Sequence, residues 1–312
     1  MKDYQLAVNL EWTSKCNARC VMCPQSLIQK PRLMTREILH QALERINVPR
    51  VFRCVIAGYG EPTSHPDFNY FVQQIGQYPV HFDMVSNGQL LNWERLQLLD
   101  GRIGTLIISF SSVEKAVYNA VHVGLDQEKV MQNIILAQQT LQQTRLAISL
   151  TPMHECLDTL PQTIAWLKQQ GVAQLTMSPT LYNRGTESEL HLATQRLRHI
   201  ISKYRLHSQE LDFVPSLTDI ARQYYKNDFK CVVRNSDLFI TSSGDYLYCY
   251  NNISHQHTIG HVKLHSVDDV LKVREKLSLL PELCNDCNMK NRYRLPELMK
   301  AAGGYVKNNM RF

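Results

Sequence analysis

What this chain of 312 residues lacks narrows it first. No stretch stays apolar for the length that a bilayer span needs. Residues 1–12 are interrupted by Lys2, Asp3, Gln5, Asn9 and Glu11, so they lack the apolar core of a secretory signal. No internal repeat and no low-complexity segment is visible, which sets aside solenoid arrays and biased tails. Like charges form no run beyond short clusters such as that containing Arg292 and Arg294. The net charge of +6 therefore reads as a solvated, mildly basic surface and argues against a nucleic-acid partner. These absences predict a cytoplasmic protein with no membrane association. Hydrophobic residues make up 44% and charged residues 20%, enough apolar material for one large domain or a domain with a smaller companion.

What the chain does have is nine cysteines: Cys16, Cys20, Cys23, Cys54, Cys156, Cys231, Cys249, Cys284 and Cys287. In a reducing compartment such a set is more often metal-binding or catalytic than disulfide-bonded. Seven of them fall into two spaced groups.

The first two-thirds alternates strand-like and helix-like segments. Apolar, β-branched runs at residues 7–12, 51–57, 80–85, 105–110, 146–150 and 174–177 are expected strands. Helical patterns lie between them, at 35–46, 93–99, 127–140 and 160–170; in the first, Leu39, Leu43 and Ile46 recur at helical spacing. Six βα units predict a parallel sheet with helices outside, doubly wound or a partial barrel, and ligands at the carboxyl ends of the strands. The last third reads differently. Helices are expected at 187–204 and 217–225, a hairpin over 237–250 around Ser243, Gly244 and Asp245, and a helix near 266–280. The boundary falls near residue 208.

Cys16, Cys20 and Cys23 follow the first strand at C-x3-C-x2-C spacing. Thiolates are the natural ligands of iron–sulfur clusters, and closely spaced cysteines on one loop can wrap a cubane. Three ligands serve three irons and leave the fourth open, whereas three thiolates alone make a poor structural zinc site. The motif resembles that of radical S-adenosylmethionine (SAM) enzymes. The resemblance implies a partial (β/α)6 barrel over residues 1–208 and a 4Fe-4S cluster on these three cysteines. It also implies SAM chelated at the open iron and split to a 5′-deoxyadenosyl radical, which abstracts hydrogen from an unreactive C–H bond. Further SAM contacts are implied along the strand ends. Gly58, Gly60 and Glu61 resemble the family's glycine-rich GEP segment, where glycine permits close backbone approach. Ser86 and Asn87 resemble its T-N-G segment. Ser109, Ser111 and Thr151 lie at the fourth and fifth strand ends, where each could equally cap a helix or form a turn. Met22 stands where the family often has an aromatic residue against the adenine, and a thioether can still pack on a ring face.

Cys231 and Cys249 flank the expected hairpin, and Cys284 and Cys287 form a C-x2-C pair. By chemistry alone four converging thiolates suit zinc or an iron–sulfur cluster equally. The pattern resembles the family's SPASM and twitch extensions, and the absence of cysteine after Cys287 matches the shorter twitch form. The resemblance thus implies a smaller auxiliary domain over residues 209–312, containing a β-hairpin and a helix, with a second 4Fe-4S cluster on Cys231, Cys249, Cys284 and Cys287. Full ligation of that cluster favours electron transfer over substrate binding.

Cys54 lies within the second strand and reads as a small hydrophobe. Cys156 follows the fifth strand on the expected active face, where a thiol could return a hydrogen atom to a substrate radical. The expected function is hydrogen abstraction from a small polar metabolite, an alcohol, sugar or aminocyclitol-like compound. The auxiliary cluster would then give net oxidation, or Cys156 epimerisation. Flavodoxin or ferredoxin would be the reductant. Two alternatives stand beside it: maturation of a ribosomally made peptide, weakened by the motif's beginning already at Cys16 with no recognition domain before it, and a non-enzymatic iron–sulfur electron carrier.

Overall fold

A computed structural model describes residues 5–23, 25, 28, 30–151, 153–177, 196–197, 199–204, 206–208, 236–250, 252 and 257–284. Among the described residues there are ten strands: β1 (Leu6–Leu10), β2 (Val51–Ile56), β3 (Phe82–Ser86), β4 (Thr105–Phe110), β5 (Arg145–Leu150), β6 (Gln174–Met177), β7 (His207–Ser208), β8 (Asp237–Ile240), β9 (Asp245–Leu247) and β10 (Thr258–His261). They are ordered β10-β9-β8-β1-β2-β3-β4-β5-β6-β7, an order that does not close on itself. The helices are α1 (Arg36–Ile46), α2 (Phe68–Ile75), α3 (Trp93–Leu99), α4 (Lys115–Val121), α5 (Gln127–Thr140), α6 (Leu160–Gln169), α7 (Val267–Lys276) and α8 (Pro281–Cys284). This is the open α/β architecture that the βα alternation predicts. Of the helix expected at 187–204, residues 196–197 and 199–204 are described and helical, while the helix expected at 217–225 lies outside the described residues.

The chain packs as two compact units. The first comprises the described residues of Met1–Cys16, Gln25–Asp83 and Asp212–Lys300. Strands β1 and β8, paired in parallel, are buried almost throughout, as such strands covered on both faces must be; Asn9 is the single partly exposed residue of β1. Thr35 starts α1 by accepting the Ile38 N–H, and Leu39, Ala42, Leu43 and Ile46 form its buried stripe. Trp12, 1% exposed, lies edge-on to Phe68 and Phe71 of α2, with ring centroids 6.1 and 5.3 Å away. The expected hairpin is present as β8 and β9, with Gly244 at φ +88° in its turn. It does not stand alone: β8 pairs in parallel with β1, Ala7 opposite Asp237 and Leu10 opposite Ile240. A capping box between Ser266 and Asp269 starts α7, whose buried Arg274 donates to the Asp237 carbonyl at 2.7 Å.

The second unit comprises the described residues of Asn17–Pro24 and Met84–Leu211. Strands β4 and β5 pair in parallel from Thr105–Arg145 to Phe110–Leu150, and β5 pairs with β6. Asn92 and Asp126 accept the first N–H groups of α3 and α5. The Phe110 ring lies 5.3 Å from Tyr118 of α4 and 5.8 Å from Trp166 of α6, joining both helices to the sheet.

Candidate active site

In the first unit the exit of β1 is anchored by Glu11. Its carboxylate is 1% exposed, and burying an ion demands partners. Oε1 accepts the Tyr59 N–H at 3.0 Å; Oε2 accepts the Ser242 N–H at 3.1 Å and the Ser242 hydroxyl at 2.9 Å. One side chain thereby ties β1, the segment after β2 and the turn after β8. The glycines after β2 are dictated by space. A Cβ on Gly58 would lie 2.5 Å from Glu11 Cγ, and one on Gly60 would lie 2.2 and 2.4 Å from the carbonyl oxygens of Thr13 and Lys15. The Lys15 carbonyl also accepts the Glu61 N–H at 2.9 Å. Glu61, 3% exposed, turns its carboxylate onto the Thr63 N–H at 3.1 Å and the Thr63 hydroxyl at 2.5 Å, capping the 3₁₀ turn Pro62–Ser64. Half-buried Cys16 follows directly on the backbone that Gly60 and Glu61 hold. The Tyr59 ring lies 5.8 Å from Phe239, and its hydroxyl donates to the Tyr250 carbonyl.

In the second unit the remainder of the cysteine loop lies along the end of α4. The Arg19 N–H donates to the Val123 carbonyl at 2.8 Å and the Val21 N–H to the Val121 carbonyl at 3.0 Å. His122 stands between those two acceptors, and its Nδ1 is 3.4 Å from Cys20 Sγ. The ring is 1% exposed and stacked on Tyr118 at 4.7 Å, and burial pushes its pKa down to about 4. Gly124, at φ +91°, lets the chain turn away immediately after this clamp. The Cys23 N–H donates to the Cys20 carbonyl at 3.0 Å, closing the loop into a turn.

The strand ends of this unit carry the other expected residues. Ser86, buried, accepts the Gly88 N–H at 3.0 Å; Asn87 donates to Asn17 Oδ1 at 2.7 Å and so reaches the cysteine loop. Ser109, half-buried, stands opposite Ser149. Ser111 and Thr151 are buried. Met22 packs against Val121, Met153 and Cys156, together with Val117. Cys156 is 1% exposed in the 3₁₀ turn His154–Cys156; burial pushes its thiol up to about 11, with the neighbouring Ser111 hydroxyl pulling the other way. Met22, Cys156 and Ser111 are therefore brought together. Cys54 is fully buried, and burial raises its pKa, as a strand hydrophobe requires.

Of the second cysteine group, Cys249 and Cys284 are half-buried, and Cys231 and Cys287 lie outside the described residues. Tyr248, next to Cys249, donates from its hydroxyl to the Ser278 carbonyl at 3.0 Å, in the segment leading to α8. Glu11 and His122 escaped sequence reasoning. The available signals were a carboxylate at the exit of an apolar strand and a histidine enclosed by Val121, Val123 and Gly124.

Among the described residues no three His, Cys, Asp or Glu side chains converge on a point for a single metal ion. A cubane asks for something else, since each thiolate takes its own iron. Three thiols within eight residues are the kind of donor set that such a cluster takes. Among the described residues no helix is long and apolar enough to cross a membrane.

A family model described as the Radical SAM superfamily matches residues 10–185, more than half of the chain. The chain is 26% identical over 181 residues to the tungsten-containing aldehyde ferredoxin oxidoreductase cofactor-modifying protein of Pyrococcus furiosus. That match covers 55% of this chain and 51% of the relative, so the chain spans about half the length of the curated protein it matches. Among solved structures, SuiB of Streptococcus suis bound to S-adenosylmethionine superposes with a TM-score of 0.65 at 13% identity, over 86% of this chain and 64% of that one. Native anSMEcpe with bound AdoMet gives 0.67 at 13%, over 97% and 96%. BtrN in complex with AdoMet and 2-DOIA gives 0.54 at 18%, over 92% and 94%. At these identities the structural likeness is one of fold.

Proposed function

Because the chain belongs to the radical SAM superfamily, we propose that this SAM-dependent enzyme abstracts hydrogen from a C–H bond of a small polar metabolite, an alcohol, sugar or aminocyclitol-like compound, with net oxidation. Membership in a family of SAM-dependent enzymes removes the electron-carrier reading. Cys16, Cys20 and Cys23 would hold a 4Fe-4S cluster. When bound, that cluster supplies the electron that splits SAM to methionine and a 5′-deoxyadenosyl radical. Gly58 and Gly60 keep the backbone after β2 clear of side chains. Ser86, Asn87, Ser109, Ser111 and Thr151 offer hydroxyls and an amide at strand ends, Met22 an apolar face for the adenine, and the Glu61 segment its backbone, since the carboxylate already serves Thr63. The small-molecule reading is carried by the curated relative, a cofactor-modifying protein, and supported by BtrN, whose structure holds 2-DOIA beside AdoMet. A peptide substrate is the second reading, favoured by the complex of SuiB with its precursor peptide SuiA, at a TM-score of 0.67.

We further propose that residues 209–312 form an auxiliary module in which Cys231, Cys249, Cys284 and Cys287 hold a second 4Fe-4S cluster, which would supply the electron acceptor that net oxidation requires. The Tyr248–Ser278 hydrogen bond, which ties the Cys249 segment to the approach of Cys284, supports this. The proposed compartment is the cytoplasm, and the proposed reductant flavodoxin or ferredoxin.

The test is anaerobic reconstitution followed by incubation with SAM and a strong reductant. 5′-Deoxyadenosine is expected, and about eight irons per chain. Methylthioadenosine or S-adenosylhomocysteine as the main product overturns the radical route; stoichiometric zinc with about four irons overturns the second cluster. Presenting polyols and aminocyclitols in one arm and peptides in the other then decides the substrate class by which one accelerates SAM cleavage. Cys156 is proposed as the hydrogen donor only of the epimerisation route. In deuterated water, oxidation leaves the abstracted carbon without solvent deuterium and survives Cys156→Ala; one deuterium in wild type and a stalled variant establish epimerisation.

A further inference from the structure

We infer that His122 is a positioning residue that donates a hydrogen bond from Nδ1 to the Cys20 sulfur and thereby raises the reduction potential of the cluster held there; this rests on the proposed ligation by Cys20. The geometry is over-determined. The two backbone hydrogen bonds from Arg19 to Val123 and from Val21 to Val121 straddle the contact, so residues 19–21 and 121–123 are held side by side with Cys20 facing His122. The imidazole cannot swing away, because it is 1% exposed and stacked on Tyr118, and the backbone N–H of His122 fixes the residue at the end of α4 by donating to the Tyr118 carbonyl at 2.7 Å.

The ring has two nitrogens and only one has a partner. Nε2 is buried with no hydrogen-bond partner among the described residues, so a proton placed there would be an unsatisfied donor in an apolar surround. A proton on Nδ1 instead points at sulfur, and a donor facing a thiolate is charge-assisted. Reduction adds negative charge that is shared by the ligating sulfurs. The N–H therefore gains more in the reduced state than in the oxidised one, and hydrogen bonds to sulfur are among the levers that set such potentials. A SAM-splitting cluster must be reduced before it acts, so this contact bears on how readily a weak biological reductant can charge it.

The experiment compares wild type with His122→Phe, which keeps a ring in the Tyr118 stack and removes the donor, and with His122→Asn, whose amide nitrogen can take the place of Nδ1. Each is reconstituted anaerobically, its iron counted, and the site cluster followed by EPR during a redox titration; the signal that shifts on adding SAM belongs to the site. In the Phe variant the reduced-to-oxidised ratio at a fixed potential should fall about tenfold at full iron content, and the Asn variant should recover to within about threefold of wild type. An unchanged ratio in the Phe variant, or Phe and Asn variants that cannot be told apart, overturns the inference. Should the Phe variant not fold, wild type labelled with ¹⁵N-histidine decides it: the reduced site cluster without SAM should show a ¹⁵N coupling that His122→Asn abolishes, and its absence overturns the hydrogen bond. Wild type that takes up no iron on the first loop overturns the proposed ligation itself, and iron content reports that separately from any potential.

Discussion

Each unit anchors its own part of the cysteine segment, and the two anchors differ. In the first, both oxygens of the Glu11 anchor are engaged, and Gly58 and Gly60 leave no room for even a methyl group. In the second, the anchor is a backbone clamp around an imidazole that keeps Nε2 without a partner among the described residues and directs Nδ1 at a sulfur. A fully satisfied anchor fixes geometry. An incompletely satisfied one calls for a further reason, which the proposed contact of Nδ1 with sulfur would supply.

The comparison breaks most completely if the cysteines themselves are removed. The triple variant Cys16→Ala, Cys20→Ala, Cys23→Ala should lower 5′-deoxyadenosine formation to the protein-free background and remove about half of the iron, read by chromatography and metal analysis. Next is Gly60→Ala. Its Cβ would meet two carbonyl oxygens at 2.2 and 2.4 Å, so backbone must move; a loss of about 4 kcal/mol in denaturant unfolding and roughly 100-fold in SAM cleavage is expected. Asp237→Asn probes the first unit by pH. Burial raises Asp237 from 3.8 to about 7, against the pull of Arg274 and Asn9. The native protein thus keeps a proton that the unfolded chain has lost, so the stability contributed by this group is full below pH 4 and disappears as pH rises to about 7. Relative to Asp237→Asn, wild type should lose roughly 2–4 kcal/mol between pH 4 and 8, read as the difference in unfolding free energy. Glu11→Gln swaps one acceptor for a donor facing an N–H or hydroxyl and should cost about 2 kcal/mol. The smallest effect belongs to Gly124→Ala. The added Cβ would come no nearer than 3.4 Å to the Asn17 carbonyl, so only the positive φ resists it, at about 1 kcal/mol. If Gly124→Ala proved as damaging as Gly60→Ala, the contrast between a space-limited anchor and a clamp would be wrong.

Local chemistry was legible where it is local. The spans 93–99, 105–110, 127–140 and 174–177 read from the sequence coincide with α3, β4, α5 and β6, because Asn92 and Asp126 punctuate the helices and apolar runs define the strands. The cysteine spacing, the GxGEP turn and the hairpin at Gly244 were legible for the same reason. Partners far along the chain were not. His122 meets Cys20 across 102 positions, and Glu11 meets Ser242 across 231, separations that leave no periodic trace. The seat of β8 against β1 is of the same kind. Cys156 was expected on a loop of the active face; it is on that connection but buried among Met22, Val121 and Met153, because the short 3₁₀ turn folds it inward.

The parallel pairing of β1 with β8 has a consequence for how the chain is made. β2 can cover one edge of β1 early, since only residues 51–56 are needed. The other edge waits for residues 237–240. At ribosomal speeds of about 5–20 residues per second, that interval is roughly 10–40 s. Throughout it the nascent chain presents a bare row of amides and carbonyls beside an apolar strand, the kind of template that recruits a neighbouring chain. Translation rate and chaperone supply between these two points should therefore govern the yield of native protein, and any fragment ending before residue 237 carries that open edge permanently.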